Sequence, residues 1–439
     1  MKKRIIVIIC CVYVICTNLI ACTKKTTNPQ TPPPVVADTG LVNTAHLDKL
    51  YTPVTFPDNV KAAGVYIYSE YPDYHLVEAS GEGFTCVDDV ARAALVYLRT
   101  SKISTDTVTQ SKLYNLIQFI VEMQSSNGYF YNFLLTGNTI NTSGVTSANN
   151  ANWWSWRALQ ALTEAAPFIK NSNAGLYTKM NLAINNLIAR IKVDLVGLPK
   201  TTTVVAGITI PQWLPAGSGT DQSAVLILGL INYCSTTNDA VISAFIGKLA
   251  DGIALMQQGD SMFFPYSAFL SWENTWHAYG NAQAYALMKA GIFLNNAQYT
   301  TQAMAEVDNY YHWLLQNGYQ SSFSINDSAG INVIITENSY DQIAYGIEPM
   351  VFAAAEAFKE TGQNKYADFA GHLAAWFMGA NHSGAIMYSK ATGICFDALS
   401  VTGPNLNSGA ESTIEALLSM EKVETDPAIL AAFNKYKTQ

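Results

Sequence analysis

The chain has 439 residues, a formal net charge of −8 and 49% hydrophobic residues. An acidic chain of this kind excludes nucleic acid or another polyanion as the main partner. Of its seven cysteines four fall within residues 10–22, and the other three, Cys86, Cys234 and Cys395, are dispersed, which argues against a disulfide framework and a CxxC metal pair.

Residues 1–21 read as a lipoprotein signal peptide. Met1-Lys2-Lys3-Arg4 is basic, residues 5–20 are apolar, and Ala21 stands before Cys22. The apolar run is short and basic on one flank only, which argues against a retained transmembrane helix. Cleavage removes three cations and moves the charge from −8 to −11. Cys22 becomes the lipidated first residue. Residues 22–44 form a flexible Thr/Pro-rich tether. The expected location is the bacterial cell envelope, facing the periplasm or the cell surface. The membrane is then met only through the lipid. Cys86, Cys234 and Cys395 remain and read as small buried apolar residues.

Residues 45–439 read as a single domain and a monomer. Apolar residues at three- and four-residue spacing predict twelve helices. They fall near 88–100, 109–124, 152–169, 174–194, 220–235, 238–257, 274–292, 297–316, 340–360, 363–378, 409–420 and 427–437. Residues 127–140 predict a hairpin, and 204–210 and 331–337 predict short strands. The odd-numbered helices start at irregular steps with no repeated motif. A closed all-α toroid of six helical hairpins fits this better than an open solenoid. In such a toroid six inner helices run parallel, and their N-termini converge at one end.

The odd starts concentrate chemistry. They read CVDDVAR (86–92), NWWSWR (152–157), TDQSAV (220–225), SWENTWHAYGN (271–281), NSYDQIAYG (338–346) and NSGAESTIEAL (407–417). The even starts look like ordinary surface entries. Capping accounts for single residues such as Asn152 and Ser408. It does not account for Trp153, Trp154, Trp272 and Trp276, whose faces suit sugar rings as well as a core.

The Asp pair at the first inner helix, NGYFYNF after the second helix and the paired Trp at the third resemble the six-hairpin, or (α/α)6-barrel, glycosidase superfamily. The resemblance spans roughly residues 45–437 and points to no single family. It implies a funnel at the inner-helix N-termini, carboxylate catalysis and a carbohydrate substrate.

Glycosidic cleavage needs two carboxyl groups, one protonating the leaving oxygen and one activating water or attacking the anomeric carbon. The catalytic candidates are Asp88 and Asp89, with Glu273, Asp341 and Glu411 on the opposite wall and Glu348 behind. Arg92 is a partner for one of the Asp pair. Asn152, Trp153, Trp154, Arg157, Asp221, Trp272, Trp276, His277 and Tyr340 are the substrate-binding candidates. Arg157 is placed to reach a hydroxyl or a uronic carboxylate. Gly409 permits close approach of a ligand. Glu273 and His277 lack a further metal ligand, and there is no HExxH, GxSxG, phosphate loop or GxGxxG after a strand. No metal and no cofactor are expected. The expected function is a glycoside hydrolase acting on an oligo- or polysaccharide by carboxylate acid/base catalysis, and two alternatives stand beside it. One is a non-catalytic glycan-binding lipoprotein. The other is a sugar epimerase or polysaccharide lyase, with His277, Tyr340 or Arg157 moving the proton.

Overall fold

The computed structural model describes residues 40–100 and 102–438. The expected signal peptide, Cys22 and the expected tether as far as residue 39 lie outside the described residues. The last tether residues do not behave as a linker. Leu41 is buried and its carbonyl accepts the Tyr388 hydroxyl at 2.9 Å.

After a short α1 (Ala45–Leu50), the helices are α2 (Val87–Arg99), α3 (Thr107–Glu122), α4 (Trp153–Ser172), α5 (Ala174–Ile191), α6 (Thr220–Thr237) and α7 (Ala240–Leu255). There follow α8 (Gln283–Leu294), α9 (Ala297–Glu306), α10 (His312–Asn317), α11 (Ala344–Thr361), α12 (Asn364–Ala374), α13 (Ala410–Glu424) and α14 (Pro427–Tyr436). A π-turn over Val307–Tyr311 runs α9 into α10, so the two form one rod.

The inner helices close a ring. Helix α2 packs on α4, then α6, α8, α11 and α13 follow, and α13 packs back on α2. Each inner helix also packs on the helix that follows it, which forms the outer layer. The inner helices are apolar nearly all round because neighbours cover both flanks. In α6 every residue from Thr220 to Ile231 is buried. The outer helices are amphipathic and show water one face.

Two cavities fix the direction of the ring. One is walled by the first turns of α2, α4, α11 and α13. The other is walled by later turns of all six inner helices. The inner helices are therefore parallel, as the alternating hairpins require.

Two expected helix starts are displaced. SWENTWH does not open α8. Glu273 sits at φ 45° in a turn, and Thr275–His277 is a strand paired with Ser322–Ser328, which pairs in turn with Ile331–Asn338. Trp276 lies stacked on Phe323 across that pair, with centroids 5.2 Å apart, and cross-strand burial of this kind outweighs helical spacing. Likewise Tyr340 and Asp341 precede α11 rather than begin it. The run 204–210 is two strands, Thr202–Val205 and Ile208–Pro211, turning at Ala206-Gly207. The 127–140 hairpin is shorter than expected. Phe133–Leu135 pairs with Thr139–Ile140 and, on its other edge, with Thr85–Cys86.

Candidate active site

Asp88 and Asp89 stand at the first turn of α2, yet neither caps it. The cap is Cys86, whose sulfur accepts the Asp89 N–H. Both carboxylates turn instead to Arg92. Spacing of three and four residues brings them to one face of the helix. Arg92 Nη2 lies 2.8 Å from Asp88 Oδ2, 2.8 Å from Asp89 Oδ1 and 3.4 Å from Glu411 Oε2. Its Nη1 donates to Glu415 on α13. Arg92 is 2% exposed and stacks on the Tyr345 ring, 4.8 Å from the centroid. One buried guanidinium thus draws four carboxyls from two helices together.

Four carboxylates around one guanidinium are too many negative charges for a buried place. Protonation relieves the excess. Burial pushes Asp89 up to about 6, with Asp88 adding repulsion and Arg92 opposing. Burial pushes Glu411 up to about 7, against Arg92 and with Asp89 and Glu415 adding to it. The Glu411 side chain is nevertheless 44% open to the cavity. It stands on the floor of a funnel, desolvated by the protein around it but reachable by a ligand. Glu348, on α11, is pushed up to about 8 by burial and by Glu415.

The cavity above this cluster measures about 520 Å³, the size of a small-ligand site. Trp153, Trp154, Tyr68, Tyr279 and Tyr345 supply aromatic wall, and Glu82 and Asp397 add acids. Among the described residues lining it, Arg92 is the one cation against the five acids Glu82, Asp88, Asp89, Asp397 and Glu411. Trp154 Nε1 is fixed by the carbonyls of Phe130 and Ala148 at 2.8 and 3.1 Å. Tyr279 lies on His277, with ring centroids 3.6 Å apart, and Trp272 rests on the same His277 at 4.6 Å. Asp221 Oδ2 holds His277 Nε2 at 3.0 Å. Gly280, at φ 67°, follows Tyr279; a Cβ there would meet the Tyr345 hydroxyl at 2.9 Å and Trp153 at 3.0 Å.

The structure thus brings Asp88, Asp89, Trp153, Trp154 and Glu411 to one cavity. Asp221, His277 and Trp272 form a support beneath Tyr279. Expectations change at several residues. Asn152 is the helix cap its position suggested and not a substrate ligand, its Oδ1 accepting the Trp153 N–H at 2.8 Å. Trp276 is 1% exposed and belongs to the core. Arg157 is bound by the Tyr345 hydroxyl and lies 3.7 Å from Asp88, so it is not free for a uronate. Glu273 and Asp341 are exposed, and Tyr340 packs on His382; none of the three lines this cavity. Gly409 does line the cavity, and its missing side chain also makes room for the chain itself, because a Cβ there would lie 2.5 Å from the Ile67 carbonyl.

Sequence reasoning missed Tyr279, Tyr345, Glu415 and Asp397. Glu415 carried a signal, standing four residues after Glu411 on α13. Asp397 carried none. It arrives on a distant loop, where it accepts the Gly409 N–H and the Ser412 hydroxyl, both at 2.7 Å.

No protein-family model and no curated protein matches this chain. Solved structures do. Cellobiose 2-epimerase from Bacillus thermoamylovorans is similar at a TM-score of 0.57 and 12% identity, over 86% of this chain and 95% of that one. A family 76 glycoside hydrolase from a bovine Bacteroides thetaiotaomicron strain is similar at 0.55 and 12%, over 89% and 79%. A D-mannose isomerase is similar at 0.55 and 14%, over 83% and 92%. At such identities the likeness speaks for the fold alone, which is the (α/α)6 toroid of six helical hairpins.

Proposed function

We propose that this chain is a glycoside hydrolase, lipid-anchored in the bacterial envelope through Cys22, that cleaves an oligo- or polysaccharide by carboxylate chemistry. One observation carries the reading. Asp88 and Glu411 are the two carboxyls of the Arg92 cluster that open to an aromatic-walled cavity, at 22% and 44% side-chain exposure. Glu411, proton-bearing near neutral pH, is the general acid that protonates the leaving oxygen. Asp88 is the carboxylate that meets the anomeric carbon or its water. Asp89, nearly sealed, positions Arg92.

The spacing favours direct attack by Asp88. Its Oδ2 and Glu411 Oε2 lie 2.8 and 3.4 Å from one nitrogen, so their separation cannot exceed the sum. That is short of the ~6.5–9.5 Å that leaves room for an inverting water, and near the ~5 Å of retaining enzymes. In the first step the Asp88 oxygen bonds the anomeric carbon as the glycosidic bond breaks and the Glu411 proton passes to the leaving oxygen. In the second, water gives Glu411 its proton and releases the sugar with its starting anomeric configuration. Five acids against one cation suit a neutral or amine-bearing glycan and disfavour uronates.

The test is turnover of a panel of neutral glycans, with the anomer of the fresh product read by proton NMR. Glu411→Gln and Asp88→Asn should each lose about 10²–10⁴-fold in kcat with the fold intact. Full activity in both variants overturns the assignment. Oligosaccharide binding with no turnover selects the glycan-binding lipoprotein. For the epimerase or lyase alternative, His277 is 2% exposed and roofed by Tyr279, so it has no open path to a substrate proton.

A further inference from the structure

The opposite end of the ring carries a second cavity of about 500 Å³. Its wall includes Arg99 from α2, Glu164 from α4, Leu228 from α6, Tyr285 from α8, Phe352 from α11 and Glu421 from α13. Cations are expected there. Six parallel helices end together, and their carbonyl ends favour positive charge. Most of these cations are also matched. Arg99 is forked onto Glu164 at 2.7 and 3.0 Å, and Lys289 and Lys359 share Glu356 at 3.2 and 3.1 Å.

Two groups are left over. Glu421 is 7% exposed, and both of its carboxyl oxygens are buried without a hydrogen-bond partner. An unpaired buried polar group of this kind is rare, because nothing replaces the water it gave up. Lys422, beside it, has no carboxylate within ion-pair distance among the described residues. Its ammonium sits 4.7 Å over the Phe352 ring, the same ring that Arg99 overlies at 5.4 Å. Two cations share one aromatic ring, and only Arg99 has its anion.

We propose that this cavity is a second ligand site, taking a small hydroxylated anion the size of one acidic monosaccharide. Its anionic group pairs with Lys422 over Phe352, and a hydroxyl satisfies Glu421. The site draws side chains from all six inner helices and shares no lining residue with the cavity of Asp88 and Glu411. It stands whether or not the hydrolase reading does.

Calorimetric titration of the whole folded protein with D-glucuronate, and with D-glucose as the neutral control, tests it. Glucuronate should bind the unaltered protein and the Glu411→Gln variant equally, and at least about 10-fold more weakly when Lys422→Met removes the charge but keeps the stem. Glu421→Gln, which still offers a donor and an acceptor, should keep affinity within about 3-fold, while Glu421→Leu loses it. Glucose heats should be the same with and without Lys422. Thermal unfolding checks each variant, and Lys422→Gln replaces the Met variant should that not fold. No glucuronate binding at about 10 mM, or equal binding after loss of the Lys422 charge, overturns the proposal.

Discussion

At the scale of residues, Glu411 and Trp276 show how chemistry and packing part company. Both were singled out by their neighbours in sequence. Glu411 reaches the cavity floor with a pKa of about 7, so its proton is present below that pH and lost above it. Activity should therefore fall as pH rises through about 7, and a pH–rate profile checks this. Trp276 lies in a cluster with Tyr310 and Phe323, at 5.1 and 5.2 Å. Trp276→Ala should cost about 3–5 kcal/mol of stability by chemical denaturation. Trp153→Ala should instead raise KM and leave the unfolding midpoint nearly unchanged, because Trp153 is half-buried on the cavity wall. Acids and aromatics near helix starts were legible in sequence. Which tryptophan was wall and which was core was not, because that depends on the strand partner of residues 275–277.

At the scale of elements, buried charge ties helix to helix. Arg92 on α2 and Glu415 on α13 lock the two ends of the ring together. Arg92→Met leaves carboxyls facing one another without their cation. A loss of about 3–5 kcal/mol at pH 7 is expected. It should shrink on acidification as those carboxyls take up protons, which urea melts across pH will show. A different tie, a neutral one at pH 7, is Glu306 at the end of α9, which accepts the N–H of Phe269 in the strand Ala268–Phe269 at 2.8 Å and is pushed up to about 8 by burial. The folded state holds this proton more tightly than the unfolded chain, whose Glu ionises near 4.5. Stability should then decline as pH rises from about 4.5 to about 8 and level off beyond. Glu306→Gln removes part of that slope, and thermal midpoints across that range measure it. The helix that carries Glu306 was legible from apolar spacing; the Phe269 N–H that its carboxyl accepts lies 37 residues away and was not.

At the scale of the whole molecule, closure matters more than any one hairpin. An open solenoid shortened by one repeat keeps the rest folded. Here α13 buries α2 as well as α11. Deleting residues 409–438 should expose the apolar flanks of both neighbours and abolish cooperative unfolding, as read by calorimetry. Closure also aligns six helix dipoles. Acids gather at the N-terminal end, where five line the cavity, and Arg99, Lys289, Lys359 and Lys422 gather at the other. The same electrostatics that steady the ring give its two ends opposite chemistry.

Apolar spacing along the chain determined the twelve helices of the ring and their pairing into six hairpins, and the sequence placed acids and tryptophans at or just before alternate ones. These are local properties, set by residues within a few turns of one another. Only the tertiary structure decided that Arg92 gathers four carboxyls, that Glu411 rather than Glu273 or Asp341 reaches the cavity floor, and that residues 275–277 are strand. Each of these depends on a partner dozens or hundreds of residues away. Burial and charge act through space, and a linear pattern does not record which distant group will share a desolvated pocket.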